Sequence, residues 1–370
     1  MFRGDTNQLG GKYAYCTKKI TMTKKVVIFA FIVFGLQKVK AQNSDLQTIN
    51  TETVMKKYQS NTAWKEINAM LPSDFQIKET HLPLEESWDW KGNKMHLDRY
   101  PNPNSEYRIF LHHGVGTNGR QMNMILGHKL AELGYDVVAI DNLGYGMTEV
   151  HQKDITYDHW VHCFADFVNA ETKRDYKKPV LYGLSAGGMI CYNSACFMDE
   201  VHGIVGMCFL KNDNKLVGRK TAKFGWSNWF AFPMMGLLNK IGFKRIRLPM
   251  KFVSKMNLLV NNKKALSILL KDNASAGASV QLQFLYDYTH YKLPIPVTAF
   301  DKCPILLTQP EKDDWTPLYL SEISMEGIKA PFTIKMLKDG GHYPMEETAL
   351  KQLQQYVDEF IKSLDKNTRR

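Results

Sequence analysis

Beyond position 74, apolar residues first alternate with polar ones and then gather into short unbroken runs separated by stretches of helical period. Residues 75–82 and 94–100 alternate as the two arms of a hairpin, and residues 107–111 are an apolar run rich in β-formers, as a strand buried on both faces requires. Apolar positions at helical spacing run over 121–133, where Gly134 stops them, and residues 135–141 return to strand. The rhythm continues with a helix at 157–172, a strand at 180–182, a helix at 186–198 and a strand at 201–208. Strands alternating with helices predict right-handed crossovers, and so a mainly parallel sheet covered by helices on both faces, an α/β fold.

The alternation then stops. Residues 209–300 are rich in Phe, Trp, Met and Leu, and they predict helices with no strand. The strand rhythm resumes at 304–308 and 332–337, and residues 350–364 form a terminal amphipathic helix. The expected organisation is one core in two parts, 75–208 and 301–370, interrupted by a helical cap at 209–300 and preceded by a helical lead-in at 42–74. No solenoid period and no long low-complexity tract interrupts it.

Residues 1–41 stand apart from this fold. Lys24 and Lys25 precede an apolar run at 26–36, and the small residue Ala41 follows Val39 and Lys40, which is the order of a secretory signal peptide. The run is shorter than the roughly 20 residues that span a bilayer as a helix. Cleavage after Ala41, with export to the periplasm or the extracellular space, is the expectation. An uncleaved interfacial anchor at a membrane is the alternative, because charge bounds the run on both sides.

Removing the leader changes the charge argument. Without the eight Lys/Arg and one Asp of residues 1–41, the 48 basic and 37 acidic residues leave a net charge of +4, which does not imply nucleic acid. What positive charge remains is concentrated, since residues 211–256 carry eleven Lys/Arg against the single acid Asp213. Cysteine usage is uninformative by comparison. Cys163, Cys191, Cys196, Cys208 and Cys303 follow the leader with no CxxC spacing, so neither a zinc site nor a disulfide framework is indicated.

Candidate chemistry begins at Gly183-Leu184-Ser185-Ala186-Gly187, a G-x-S-x-G motif set between a predicted strand and a predicted helix. Such a turn holds its serine in a strained backbone conformation, and side chains two residues to either side would collide. Ser185 is therefore the candidate nucleophile, with the Ala186 N–H aimed at a developing oxyanion. The candidate base is His342, which follows Gly340 and Gly341 after the last strand and precedes Pro344. The candidate acid is Asp313, just past the strand at 304–308, with the adjacent Asp314 open as an alternative and Asp213 a weaker third choice. A second oxyanion donor should come from His112-His113-Gly114-Val115-Gly116, as the backbone N–H of Val115 or of Gly114. A metal shared by His112 and His113 is disfavoured, since adjacent strand residues point to opposite faces and no acidic cluster accompanies them.

From about residue 75 to 363 the chain resembles the α/β-hydrolase superfamily, and within it the monoglyceride lipase and lysophospholipase branch, which is similar to serine aminopeptidases. The matching pieces are Gly92-Asn93-Lys94-Met95-His96-Leu97, the His113-Gly114 loop, Asp141-Asn142-Leu143-Gly144-Tyr145-Gly146-Met147-Thr148, the Ser185 motif, Glu311-Lys312-Asp313 and Gly341-His342. The chain departs from the family pattern at Pro310, Asp314 and Leu143. The resemblance implies an α/β-hydrolase fold with a helical cap, a Ser185, Asp313 and His342 triad, and hydrolysis through an acyl-enzyme without metal or cofactor.

Inside the cap, Trp226, Trp229, Phe230 and Phe232 lie close together and are followed by Lys240, Lys244, Arg245 and Arg247. Aromatics beside a basic cluster suit the wall of an acyl pocket or a surface that meets anionic lipid, and equally the underside of a cap packed on the core. The function expected is a serine hydrolase of esters with an apolar acyl group, of the monoacylglycerol or lysophospholipid type. A serine aminopeptidase with the same triad and a non-catalytic binding protein on the same fold are the alternatives. An aminopeptidase would want carboxylates at the entrance to hold an ammonium, whereas the cap is basic over its first half.

Overall fold

The computed structural model describes residues 55–223 and 234–367. The leader and the aromatic cluster of the cap fall outside them. Its main sheet is assembled from β1 (Leu84–Trp90), β2 (Asn93–Tyr100), β3 (Tyr107–His112), β4 (Asp136–Ile140), β5 (Lys178–Leu184) and β6 (Gly203–Met207). A separate ribbon, β7 (Arg247–Pro249) with β8 (Ser279–Gln281), precedes the last two sheet strands, β9 (Ile305–Pro310) and β10 (Phe332–Leu337). The spatial order is β1-β2-β4-β3-β5-β6-β9-β10. β2 runs antiparallel to β1 and β4, and all the other pairs are parallel.

Burial explains why the central strands read as apolar runs. Every residue of β3, β4, β6 and β9 is buried, because helices cover both faces of a parallel sheet. The helices that matter for the site are α1 (Ala63–Asn68), α2 (residues 119–132, with a π-helical turn at Asn123–Gly127), α3 (Tyr157–Asp175), α4 (Ala186–Ala195), α5 (Lys215–Thr221), α6 (Lys263–Leu269), α7 (Leu282–His290), α8 (Leu318–Ser324) and α9 (Glu347–Asn367). Asn118 and Thr156 start α2 and α3 with reciprocal capping boxes, closed by Gln121 and His159. Along α9, Leu350, Leu353, Val357, Ile361 and Leu364 recur at helical spacing and are all buried.

Two expectations fail for identifiable reasons. The first hairpin arm is Leu84–Trp90, not residues 75–82, and it turns through Lys91 and Gly92, both at positive φ. Residues 75–82 bury Phe75 and Ile77 without joining a sheet, because Asn68 substitutes for a strand partner: its side chain accepts from Ile77 N at 2.9 Å and donates to Ile77 O at 3.0 Å. The cap also contains strand. The β7–β8 ribbon has three residues a side, too short to show a period, and its arms lie far apart in the chain.

Beneath the sheet's antiparallel edge lies a buried charge network. His96 bridges Glu85 (2.9 Å) and Asp141 (3.1 Å), while Arg120 pairs with Asp98 and stacks over the rings of Tyr58 and Trp64. The Tyr58 hydroxyl donates to Asp141, whose carboxylate also accepts from Gly119 N (2.6 Å) and Met147 N (2.9 Å). One carboxylate thus ties the lead-in, the start of α2 and the loop after β4 together. Glu85, His96 and Asp98 are the single group among the described residues with the proximity to hold a metal, but their donor atoms are committed to Arg120, Tyr58 and Asp141.

Burial opposes a charge on His96, yet hydrogen bonds to Asp141 and Glu85 and the fields of Asp141 and Asp98 outweigh it and raise the imidazole to about 10. A raised pKa contributes stability in full below the unfolded value of about 6.5, and that contribution disappears as pH climbs towards about 10. The thermal midpoint of the protein is expected to fall between pH 7 and pH 10, with a few kcal/mol at stake. His96→Gln should unfold at lower temperature at pH 7 and show a flatter profile over the same interval, measured by calorimetry. Parallel profiles would show that His96 is not the titrating group.

Candidate active site

The C-terminal ends of the parallel strands present the loops that carry the candidate residues, the edge at which open α/β sheets place ligands. β5 ends at Leu184, and Ser185 turns the chain into α4 with φ 56° and ψ −123°. Only 7% of Ser185 is exposed. The turn exists because its glycines leave no room for side chains: a Cβ on Gly183 would stand 2.2 Å from Gly187 O, one on Gly187 2.5 Å from His112 O, and one on Gly188 2.2 Å from Cys208 O. The elbow is also pinned from β6, where Met207 O accepts from Ser185 N at 3.1 Å.

The loop after β3 packs on the same turn. A Cβ at Gly114 would meet Leu184 O at 2.6 Å, Ser185 Cβ at 2.9 Å and Ala186 N at 3.3 Å, so the Gly114 backbone lies against the start of α4. Gly114 N–H donates to Thr117 Oγ1 at 3.2 Å. Of the two loop donors considered, the Gly114 N–H is therefore engaged within its own loop. The histidines before it are structural. His113 Nδ1–H donates to Gly114 O (2.7 Å) while its Nε2 accepts from Asn142 N (2.9 Å), and His112 Nδ1–H donates to His113 O (2.9 Å). Desolvation holds both neutral, with His112 pushed down to about 3. Their rings lie parallel with centroids 5.9 Å apart rather than on opposite faces, because β3 ends at His112 and strand alternation ends with it.

Asp313 and His342 meet, carried by the loops after β9 and β10. His342 Nδ1–H donates to Asp313 Oδ2 at 2.8 Å, and both side chains are almost wholly buried. Asp313 Oδ1 accepts from Trp315 N (2.9 Å) and Thr316 N (2.8 Å), and its Oδ2 also accepts from Thr316 Oγ1 (2.6 Å). Burial works against ionisation here, but the His342 ring and these hydrogen bonds overcome it and hold the carboxyl below its ordinary value. The Trp315 ring packs on His342 at 4.6 Å between centroids, and Trp315 Nε1 is anchored on Thr221 O in α5. His342 Nε2, by contrast, is buried with no hydrogen-bond partner.

The competing acids are placed elsewhere. Asp314 is exposed, and Asp213 pairs with Lys292 at 2.8 Å. Pro310 keeps its register with Leu337 at the end of β9, so the unusual residue there leaves the strand pairing intact. Thr316 was not singled out from the sequence. Its signal is the Asp-x-x-Thr spacing of a turn in which a carboxylate caps the two following N–H groups.

Trp226, Trp229, Phe230 and Phe232 lie outside the described residues. Among the described residues that follow them in sequence, the cap exposes Met234, Leu237, Ile241, Phe243 and Phe252. Lys244 and Arg245 do not stand free, since both pair with Asp154, at 3.0 and 2.6 Å. Met256 and Ala276 of the cap cover Gly116, where a Cβ would lie 2.7 Å from Met256 Sδ.

The profile of the alpha/beta hydrolase family matches residues 109–354, well over half of the chain. The protein belongs to the alpha/beta hydrolase family. Solved structures agree on the fold at low sequence identity. A soluble variant of Saccharomyces cerevisiae monoglyceride lipase in complex with a substrate analogue is 18% identical with a TM-score of 0.63, covering 79% of this chain and 99% of that one. Monoacylglycerol lipase from Paleococcus ferrophilus is 18% identical with a TM-score of 0.54, covering 73% and 99%. Est1E from Butyrivibrio proteoclasticus with ferulic acid bound is 15% identical with a TM-score of 0.50, covering 75% and 98%. No curated protein matches this hydrolase-family chain by sequence.

The geometry separates the two adjacent acids by experiment. Asp313→Asn is expected to lower kcat/KM by about 10⁴, because the amide cannot hold the same imidazole tautomer, while Asp314→Asn stays within about tenfold of the parent. Steady-state kinetics on any substrate the parent turns over decides it, and the reverse order would move the acid to Asp314.

Proposed function

We propose that this hydrolase-family chain is a serine hydrolase of carboxylic esters with an apolar acyl group, of the monoacylglycerol or lysophospholipid type. The observation that carries the reading is the buried Asp313–His342 pair with its unpartnered Nε2 on the loops after β9 and β10, together with a serine held at positive φ on the turn after β5. In this reading His342 Nε2 takes the Ser185 hydroxyl proton as Oγ attacks the ester carbonyl. Asp313 keeps the proton on Nδ1 and stabilises the imidazolium that forms. The tetrahedral oxyanion is met by the N–H groups of Ala186 and Val115, the former at the positive end of α4. His342 then protonates the departing alcohol, and a water activated by the same imidazole releases the acid. None of these steps calls on a metal or cofactor.

The apolar acyl preference rests on the cap. Five large apolar side chains exposed between residues 234 and 252, next to Lys240, Lys251 and Lys255, give a surface suited to lipid with anionic headgroups. The Trp226, Trp229, Phe230 and Phe232 cluster continues that composition in sequence, and the lipase likeness of the fold points the same way. With its leader, the chain reads as an exported enzyme.

A panel of p-nitrophenyl esters of increasing acyl length, run beside an aminoacyl p-nitroanilide, tests the reading. Ester turnover is expected to rise with acyl length, Ser185→Ala should abolish it, and the anilide should be untouched. Each aromatic side chain removed from water is worth about 1.5 to 3 kcal/mol, so Trp229→Ala with Phe232→Ala should cost long esters at least about tenfold and acetyl esters little. Cleavage of the anilide in preference to every ester would make the protein an aminopeptidase instead.

A further inference from the structure

The loop that carries the candidate base is held by the cap as well as by the core. Tyr343 N–H donates to Leu259 O at 2.8 Å, and a Cβ on Gly341 would stand 2.7 Å from Asn261 Nδ2, an amide that donates to Glu346 Oε1 at 3.0 Å. The residues on either side of His342 therefore rest on the cap. The ring between them needs more. His342 Nδ1–H donates to Asp313 and Nε2 is buried with no partner, so one hydrogen bond restrains a side-chain torsion whose wells are intrinsically broad.

The other group that bears on the ring is Trp315. Its indole lies 4.6 Å from the imidazole between centroids, with the two planes 39° apart, and it is almost wholly buried. Its backbone N–H donates to Asp313 Oδ1 at 2.9 Å, so this one residue touches both members of the pair. The far edge of the indole belongs to the cap: Nε1–H donates to Thr221 O at 3.0 Å, in the last turn of α5, where a helix leaves carbonyls without partners of its own. α5 is seated in turn, since Val217 packs with Cys208, Leu210 and Leu320, and Lys223 N–H just beyond it donates to Val253 O at 3.0 Å. Contacts thus run unbroken from the cap, through one indole, to the face of the imidazole.

We propose that Trp315 is a positioning residue which, seated by the cap carbonyl of Thr221, fixes the plane of the His342 imidazole so that Nε2 is presented for proton transfer. The cap then sets the base as well as meeting substrate. This rests on the reading of His342 as the base of a serine hydrolase, and it names the side chain that orients that base.

The test is steady-state kinetics of the full chain on p-nitrophenyl acetate and on a long-chain p-nitrophenyl ester, for the parent, Trp315→Leu, Trp315→Phe and His342→Gln. Trp315→Leu keeps an apolar side chain without a flat face, and kcat should fall about 10- to 10²-fold on both esters with KM little changed, since a small misplacement of a reacting group is paid in the chemical step. Trp315→Phe restores a ring face but not the bond to Thr221, and kcat should fall only about two- to tenfold, the size of one hydrogen bond. Thermal midpoints measured alongside show that each variant is folded at the assay temperature; should Trp315→Leu fail to fold, the parent and Trp315→Phe decide. A kcat within about twofold of the parent in the variants that fold, a loss confined to KM, or a Trp315→Phe as slow as Trp315→Leu overturns the proposal. A loss on the long ester alone also overturns it, and makes Trp315 a wall of the acyl pocket. A parent inactive on both esters, or turnover that survives in His342→Gln, overturns instead the reading of the site on which this rests.

Discussion

Everything at this site hangs on one turn of backbone, the left-handed peptide conformation at Ser185. A non-glycine residue held this way costs on the order of 1 to 3 kcal/mol, and it persists only where the surroundings leave no alternative. Here the surroundings are atoms closer than any side chain could tolerate, with Gly183, Gly187 and Gly188 pressed on neighbouring backbone and Gly114 pressed on Ser185 itself. The same crowding brings the Gly114 backbone against the first N–H of α4, at Ala186.

A second constraint acts at a distance. Asp141 ends the run of β4 with a carboxylate that receives Tyr58, His96, Gly119 and Met147. Removing one partner from such a buried set leaves charge without compensation, which costs about 3 to 5 kcal/mol, so the network fixes geometry more than it adds net stability. What it fixes is useful: α2 begins at Gly119, a few residues beyond the Gly114 loop, and the loop after β4 supplies the Asn142 N–H that His113 Nε2 accepts, which fixes the ring's tautomer. The lead-in segment, by delivering Tyr58 and by packing Trp64 under Arg120, is part of this support.

The cap combines opposite demands. Met256 and Ala276 close over Gly116, while Leu237, Ile241, Phe243 and Phe252 remain outside in water. The basic residues between them are partly spent within the protein, since Asp154 of the core side takes Lys244 and Arg245.

Period and glycine placement in the chain were enough to determine the parallel core, the strand-to-helix position of Ser185 and the loop positions of His342 and Asp313, because burial on both faces and a strained elbow each impose local composition. Other features carry no local mark. Asn68 feeding hydrogen bonds to Ile77 replaced an expected strand by 3₁₀ turns, and the three-residue β7 and β8 arms found each other across the cap. Asp314 carries the same side chain as Asp313, and only the exposure of one and burial of the other beside His342 distinguishes them. Thr316 is an unremarkable letter until the loop after β9 folds it back on the Asp313 carboxylate. Sequence determines what each segment must bury or strain to exist; which distant atoms then share a hydrogen bond is settled by packing, where several chemically equal partners compete for one position.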